Sequence, residues 1–461
     1  MSNGYHKTSI FWGLTLLAIG ALFLYNNFHP DFRFWHFFAR FWPVLIIFWG
    51  ASKLYTYFRY RNDASYPHGP LMTGGEIVLL IFLLIFGAAI SSAVRHSDRI
   101  FNGPGFRIGD DDTFNFGGLF GNPYDYTDQV ESAVSPKPVI DISEIRGDIK
   151  VTGWDQSKIQ VVVKKRVYSE SENQAKSRAA EIKALITQQN GQYLITTNRM
   201  DMVNKGYRFS TDLEISVPKD AKVTTHQPRG DVTLTGLVGD QMVDSDRGDV
   251  NASQIVGNLA VNLRRGDLKV NDVTGNVDVT GRGNDLSVVK VGGVASVNGE
   301  FFSVDLENIK KQARFLSSRT DLLAEKVDGQ VRLESGNLTA RNVGGLFTLK
   351  TKDKDINLED VAGVVRVENS HGNVTLTASS MPHNDIEITN QSAAIELKLP
   401  RTSSFVIDGS TKSGDVQSDF KGPGLKLTSD QPINQITGTY GRGGPKIRLS
   451  TTYGDVRLTQ Q

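Results

Sequence analysis

From Val232 onward, apolar and polar positions alternate, and the alternation itself recurs. Val250, Leu268, Leu286, Val304 and Leu322 follow Val232 at steps of 18 residues, and Leu338, Ile356 and Val374 continue the series after one step of 16. A second column runs Leu234, Ala252, Val270, Val288, Leu306, Ala324, Ala340, Leu358, Leu376. A third runs Leu237, Ile255, Val273, Val291, Ile309, Val327, Val343, Val361, and a fourth Val243, Val261, Val279, Val297, Phe315, Leu333, Leu349, Val367. Each unit holds two short strands and two Gly-marked corners, too little to bury its own apolar face, so stacking must supply the core. The pattern predicts an all-β domain, a parallel β-solenoid of 18-residue coils flattened into two facing sheets and right-handed by the rule for parallel crossovers. The regular part spans 223–380, with irregular coils and a C-terminal cap over 381–461 that ends in Gly414-Asp415-Val416 and Gly454-Asp455-Val456-Arg457-Leu458. The short step falls in a turn between Leu333 and Leu338, so all four columns are expected to keep one register through it.

Upstream, period-two strands are predicted at Val139–Ile142, Ile149–Val151, Ile159–Val163 and Tyr193–Thr196. One helix is predicted over Ser171–Thr187, where Ala179, Ile182, Leu185 and Ile186 share a face. Residues 139–222 therefore form a β cap with one helix. Residues 98–138, rich in Gly and Asp and without an apolar period, read as an extended linker. Its Asp110-Asp111-Asp112 lacks the spaced ligands and turn glycine of a calcium loop and reads as a solvated acidic turn.

The first hundred residues carry three apolar stretches, Ser9–Tyr25, Phe41–Tyr57 and Gly75–Val94, of lengths suited to a hydrocarbon core of ~30 Å. Residues 1–97 are thus expected to be a module of three transmembrane helices in the lipid bilayer. The first is expected to be a span rather than a cleaved signal peptide, because it ends in Leu24-Tyr25-Asn26-Asn27-Phe28 without a small-residue cleavage site and two more spans follow. Aromatics alternate with Arg33, His36 and Arg40 between the first two spans, in the manner of an interfacial belt. Lys7, Lys53, Arg59 and Arg61 favour a cytoplasmic N-terminus. Three spans then place everything beyond Val94 outside the cytoplasmic membrane.

Composition narrows the chemistry. The 461 residues, about three domains at ~150 each, carry 51 Lys+Arg against 50 Asp+Glu, which argues against a nucleic-acid partner. With no cysteine, disulfides, thiolate metal sites and Cys nucleophiles are excluded. The eight His residues form no metal-spaced pair, and neither a Gly-x-Ser-x-Gly elbow nor a phosphate loop occurs. No catalytic, cofactor-binding or metal-binding residues are assigned, and the chain is read as a non-enzyme.

Arg-Gly-Asp occurs at Arg146-Gly147-Asp148, Arg229-Gly230-Asp231, Arg247-Gly248-Asp249 and Arg265-Gly266-Asp267, the last three in phase with the repeat. Because the same corner elsewhere reads Gly283-Asn284-Asp285 or His371-Gly372-Asn373, what repeats is a turn of Gly with Asp or Asn rather than an adhesion tripeptide. Stacking would align Asp231, Asp249, Asp267, Asp285, Ser303, Asp321, Asn337, Asp355 and Asn373, carboxylates ~5 Å apart that need compensation from backbone N–H groups, Arg or a cation. Local backbone capping is the favoured account.

Ile10 to Asn27, followed by Phe41-Trp42-Pro43 to Gly50, resembles the hairpin of LiaI/LiaF-like transmembrane modules. Val151-Thr152-Gly153-Trp154 to Arg166, the step Leu213 to Lys222 and the recurring Gly-Asp-Val units resemble the toastrack domain, an adhesin-like β-repeat domain, from about Val139 to the C-terminus. Together the resemblances imply a non-catalytic bacterial envelope protein that senses or scaffolds in an envelope-stress response, as a membrane partner of a two-component or phage-shock-type system. The alternative is a surface adhesin or a structural protein that binds cell-wall polymer.

Overall fold

A computed structural model describes residues 122–144, 146–430 and 432–461. The three expected spans and most of the expected linker lie outside the described residues. Among those described, no helix is long and apolar enough to cross a membrane. The chain divides into two units, Met1–Tyr124 with Tyr168–Ser177, and Asp125–Val167 with Arg178–Gln461. The described part of the first holds the start of helix α1 (Glu172–Glu181), and the second holds the strand stack.

In sheet one, β9 (Val232–Val238), β11 (Val250–Val256), β13 (Leu268–Val273), the second half of β14 (Val277–Val291) and β15 (Val294–Leu316) pair in parallel. Val232, Val250, Leu268, Leu286 and Val304 lie side by side. In sheet two, β10 (Gln241–Ser245), β12 (Leu259–Leu263) and the first parts of β14 and β15 align Val243, Val261, Val279 and Val297. All nine of these side chains are buried. The ladders fit a parallel β-solenoid.

The third column sits three residues after the second, where strict alternation would turn it outward. The residue before each member resolves this by taking positive φ: Gly236 (69°), Gln254 (55°), Asp272 (64°), Lys290 (57°), Asn308 (54°), Lys326 (52°), Asn342 (52°) and Asp360 (52°). One left-handed residue per coil flips the side-chain phase, so Leu237, Ile255 and Val273 point into the core.

The expected single register breaks after Phe315. The chain turns back at Ser317–Thr320, where Ser317 N–H donates to Thr320 O at 2.8 Å, and β16 (Asp321–Leu333) runs antiparallel to β15. Val304 faces Leu333, Leu306 faces Val331, Ile309 faces Val327, Ala313 faces Ala324 and Phe315 faces Leu322. A second hairpin, closed by Glu334 N–H to Asn337 O at 2.8 Å, restores the direction. Then β17 (Asn337–Val343) and β18 (Phe347–Lys350) pair antiparallel to β16 and in parallel with β19 (Asp355–Val361) and β20 (Val365–His371). One coil is therefore wound backwards. Leu322 and Ala324 belong beside Phe315 and Ala313 in sheet two, Val331 and Leu333 beside Leu306 and Val304 in sheet one, and Asp321 leaves the Asp column to face Leu316 and Lys350. The two residues missing from the repeat reflect the tight hairpin. Only the third column stays as expected, because Val327 pairs with Ile309 and Val343 at the pivot.

Both ends are threaded. At the C-terminal end, β22 (Ile386–Ser392) and β23 (Ile395–Leu399) pair with β28 (Lys446–Thr451) and β29 (Val456–Gln460), which in turn pair with β24 (Phe405–Thr411) and β25 (Val416–Ser418). The last coil in sequence is thus internal. The outer layer is β24 with the hairpin of β26 (Leu425–Asp430) and β27 (Ile433–Tyr440), sealed by the packed rings of Phe405, Phe420 and Tyr440 at 4.9–5.4 Å. Gly454–Leu458 is accordingly not a cap. At the other end β2 (Val139–Ser143) lies between β6 (Gln192–Thr197) and β8 (Lys222–Gln227), and β3 (Ile149–Trp154) between β7 (Arg208–Pro218) and β9.

Two expectations upstream need correction. The helix stops at Glu181, because β5 (Ala184–Gln189) forms a hairpin with β6 across Asn190-Gly191, both at positive φ, and a second helix, α2, spans Arg199–Asn204. Asn-Gly is a strong hairpin signal that outweighs the apolar period through Leu185, which is exposed. The end of the linker is not a featureless tether, since β1 (Asn122–Ala133) pairs with β4 (Lys158–Ser169).

Because the chain has no cysteine, the reversal is directly testable. The double variant Arg314→Cys/Leu323→Cys, at positions paired across β15 and β16, should cross-link under oxidation. Arg314→Cys/Arg332→Cys, neighbours only in an unbroken 18-residue winding, should not, as read by mobility on non-reducing gels.

Candidate functional site

The corners are built from backbone upward. Gly147, Gly230, Gly248 and Gly266 take φ of 125°, 129°, 130° and 137°, and a Cβ on Gly230, Gly248 or Gly266 would sit 2.0–2.1 Å from the carbonyl oxygen of the preceding corner glycine. Only glycine fits such a stack. Beside it, each Asp carboxylate accepts the N–H of the next Asp: Asp231 N–H to Asp148 at 2.9 Å, Asp249 to Asp231 at 2.8 Å, Asp267 to Asp249 at 2.9 Å and Asp285 to Asp267 at 3.3 Å. The file resumes beyond the reversed coil with Asn373 N–H on Asp355 at 2.8 Å. The compensation is thus the neighbouring coil's backbone. Arg146-Gly147-Asp148, out of phase in sequence, enters the same file because Gly147 N–H donates to Arg229 O at 3.0 Å. Packing between corners, opposed by the Asp249 N–H and assisted by the charges of Asp148 and Asp249, raises the Asp231 carboxyl above its usual value.

Two further files escaped the sequence reading. At the opposite corner Asp240, Asn258 and Asn276 accept the N–H groups of Asn258, Asn276 and Val294 at 3.1, 2.8 and 2.9 Å. Inside sheet two, Thr351, Asn369, Asn390 and Thr451 are buried where alternation calls for an apolar residue. Asn369 Nδ2 donates to Lys354 O and His371 O at 2.9 and 2.8 Å, and Asn390 Nδ2 to Gly372 O at 2.9 Å. The break in Val365-x-Val367-x-Asn369 and Ile386-x-Ile388-x-Asn390 was the available signal.

The reversed coil interrupts the corner wall. No crossover joins the two sheets at its level; the hairpin tips Ser317–Thr320 and Glu334–Asn337 stand there instead. Lys354 Nζ bonds the carbonyls of Glu334 and Ser335, the latter at 3.2 Å, and burial together with the charge of Arg319 pulls its ammonium below the usual value. Beside the first tip opens a cavity of about 480 Å³, lined by Ser317–Asp321, Lys350–Lys352, Glu368–Ser370, Thr389–Gln391 and Thr452. Beside the second is one of about 350 Å³. Every side chain lining the larger cavity is polar or charged. Among the described residues no three His, Asp or Glu side chains are grouped to hold a metal ion.

The largely exposed β1 is held to β4 by ion pairs: Glu131 with Lys158 and Asp125 with Arg166, both at 2.8 Å, and Asp128 with the buried Lys165. Hydrogen bonds from Lys158 and Gln160 lower the Glu131 carboxyl below its usual value, and one from Arg166 lowers that of Asp125.

Two predictions follow from these contacts. Gly248→Ala should destabilise by ~3 kcal/mol through its forced left-handed Cβ, Asp249→Ala by about 1 kcal/mol, and the exposed Arg247→Ala by under about 0.5 kcal/mol, read from urea unfolding of the three variants. For β1, depressed folded carboxyl values mean that docking is fully supported above the unfolded values and lost as pH falls through the folded ones. Amide exchange in β1 should therefore accelerate, relative to β9, below about pH 4 and in 1 M salt.

Comparison with known proteins agrees with both resemblances. The LiaI-LiaF-like transmembrane region matches residues 10–54. No curated protein matches the chain. Among solved structures, a candidate cell adhesion protein of Clostridium sporogenes is 8% identical, covering 73% of this chain and 100% of its own at a TM-score of 0.15. A candidate adhesin of Bacteroides fragilis is 10% identical, covering 72% and 97% at a TM-score of 0.18. Neither score carries an argument. The Toastrack DUF4097 family matches residues 139–459, well over half of the sequence, and the chain belongs to that family.

Proposed function

We propose that this protein is a non-catalytic component of the bacterial envelope, in which three membrane helices, about 9–25, 41–57 and 75–94, carry a toastrack β-solenoid outside the cytoplasmic membrane. There it senses or scaffolds in an envelope-stress response, as a membrane partner of a two-component or phage-shock-type system. The observation that carries this reading is the presence on one chain of a LiaI-LiaF-like match over 10–54 and a toastrack match over 139–459. Three helices are also more than simple display of a solenoid requires. The second reading, an adhesin or wall-polymer-binding protein, is favoured by the exposed Arg247 and Arg265 of the corner file.

A strain whose chain ends after residue 135 separates the two. The stub should alter transcription of an envelope-stress regulon under antimicrobial-peptide challenge, since the external input is lost while the membrane coupling remains. Lost attachment with an unchanged regulon would replace this reading with the adhesive one. Protease added to intact spheroplasts should degrade the region beyond Val94, and full protection would reverse the topology.

A further inference from the structure

We infer that the cavity beside the reversed coil is a binding site for an anionic, polyhydroxylated unit, a sugar phosphate or glycerol phosphate, presented by a polymer or a lipid headgroup. The inference rests on the extracytoplasmic placement proposed above, but its chemistry is read from the site.

Along the regular corners the stacked glycines leave no space even for a Cβ, and the Asp carboxylates are used by backbone N–H groups. The reversed coil removes the crossover and leaves a cavity of about 480 Å³, within the usual range for small-molecule sites.

The lining residues are all polar or charged, and among them Thr389, Gln391 and Thr452 carry hydroxyl and amide groups suited to a polyol.

Lys350 is paired with Glu368 at 2.9 Å. Arg319 and Lys352 are both exposed and neither forms an ion pair with a described residue, although the charge of Arg319 acts on Glu300, whose carboxylate accepts the Ser318 N–H at 2.8 Å. The lining residues thus carry three cations, Arg319, Lys350 and Lys352, against two carboxylates, Asp321 and Glu368, and a guanidinium near hydroxyl groups suits a phosphate. The second cavity lacks this balance, because its Arg332 is paired with Glu334 at 2.8 Å.

The test uses the full chain in neutral detergent and isothermal titration with four probes: a short poly(glycerol phosphate), dextran oligosaccharide, inorganic phosphate, and mixed micelles containing phosphatidylglycerol. Binding of poly(glycerol phosphate) that exceeds binding of both dextran and phosphate, and weakens at least tenfold in Arg319→Ala/Lys352→Ala but not in Arg265→Ala, is the expected result. Stronger binding to the micelles than to the polymer, with the same variant dependence, assigns the headgroup as the source and also supports the site. Absence of binding to all four, or binding that the double variant leaves intact, overturns the inference. Both substitutions are at exposed positions, so matched melting temperatures serve as the folding control. Because the readout is affinity, a negative regulon experiment leaves this result standing, and the reverse also holds.

Discussion

The constraint on which the regular stack depends is that each coil from β9 to β19 turns the residue before its third inward position into positive φ, level with its neighbours. Strand alternation alone would place the third inward column on the surface. The left-handed residue at Gly236, Gln254, Asp272, Lys290 and onward re-phases the chain, and the buried Leu237, Ile255, Val273 and Val291 follow from it. Non-glycine residues hold this conformation at seven successive levels, against a cost of order 1 kcal/mol each, because ladders on both sides fix the backbone. Corner geometry, more than strand propensity, therefore sets the period.

The same pivot explains both what the sequence revealed and what it hid. Four apolar columns are visible because burial is strict and the step is constant, and the Asp file is visible because Gly and Asp recur with it. Winding direction is not visible. The inward residues of the reversed coil, Leu322, Ala324, Val327, Val331 and Leu333, are spaced 2, 3, 4, 2 along the chain. Read backwards the spacing is 2, 4, 3, 2, so the pattern is nearly its own mirror image. The difference is absorbed by register shifts on either side of Ile309. An apolar code this close to palindromic specifies which residues are inside but not which way they run. Threading of the ends was hidden for a related reason: pairing between Asp148 and Asp231, or between Ile395 and Val456, spans insertions that periodicity does not cross.

Threading also manages the exposed edges that any stack of strands presents. Placing the terminal coils one layer inside means that fraying of either end must first displace an outer layer, β4 to β7 at one end and β24 to β27 at the other. At the N-terminal edge the outermost strand, β1, is held by carboxylates against Lys158, Lys165 and Arg166 with few buried apolar contacts. Charged edge strands discourage pairing with other chains, and they dock in a salt-dependent way. β1 is thus held largely by ion pairs that respond to salt and to pH.

These features bear on where recognition can reside in such a protein. In the regular solenoid wall the glycines exclude side chains, the Asp carboxylates are occupied by N–H groups, and Arg247 and Arg265 are exposed. Substituting its Gly or Asp residues changes stability, because their contacts are internal to the stack. Reversing one coil opens the wall without breaking the core, since the inward residues of β16 remain buried in the reversed direction. Two short hairpins then replace one crossover, and loops of this kind tolerate variation in length and sequence. The chain can alter Ser317–Thr320 or Lys350–Lys352 without disturbing the apolar columns. Specificity is therefore expected to be concentrated at the interruption, and the flanking regular coils to act as the rigid frame that holds it.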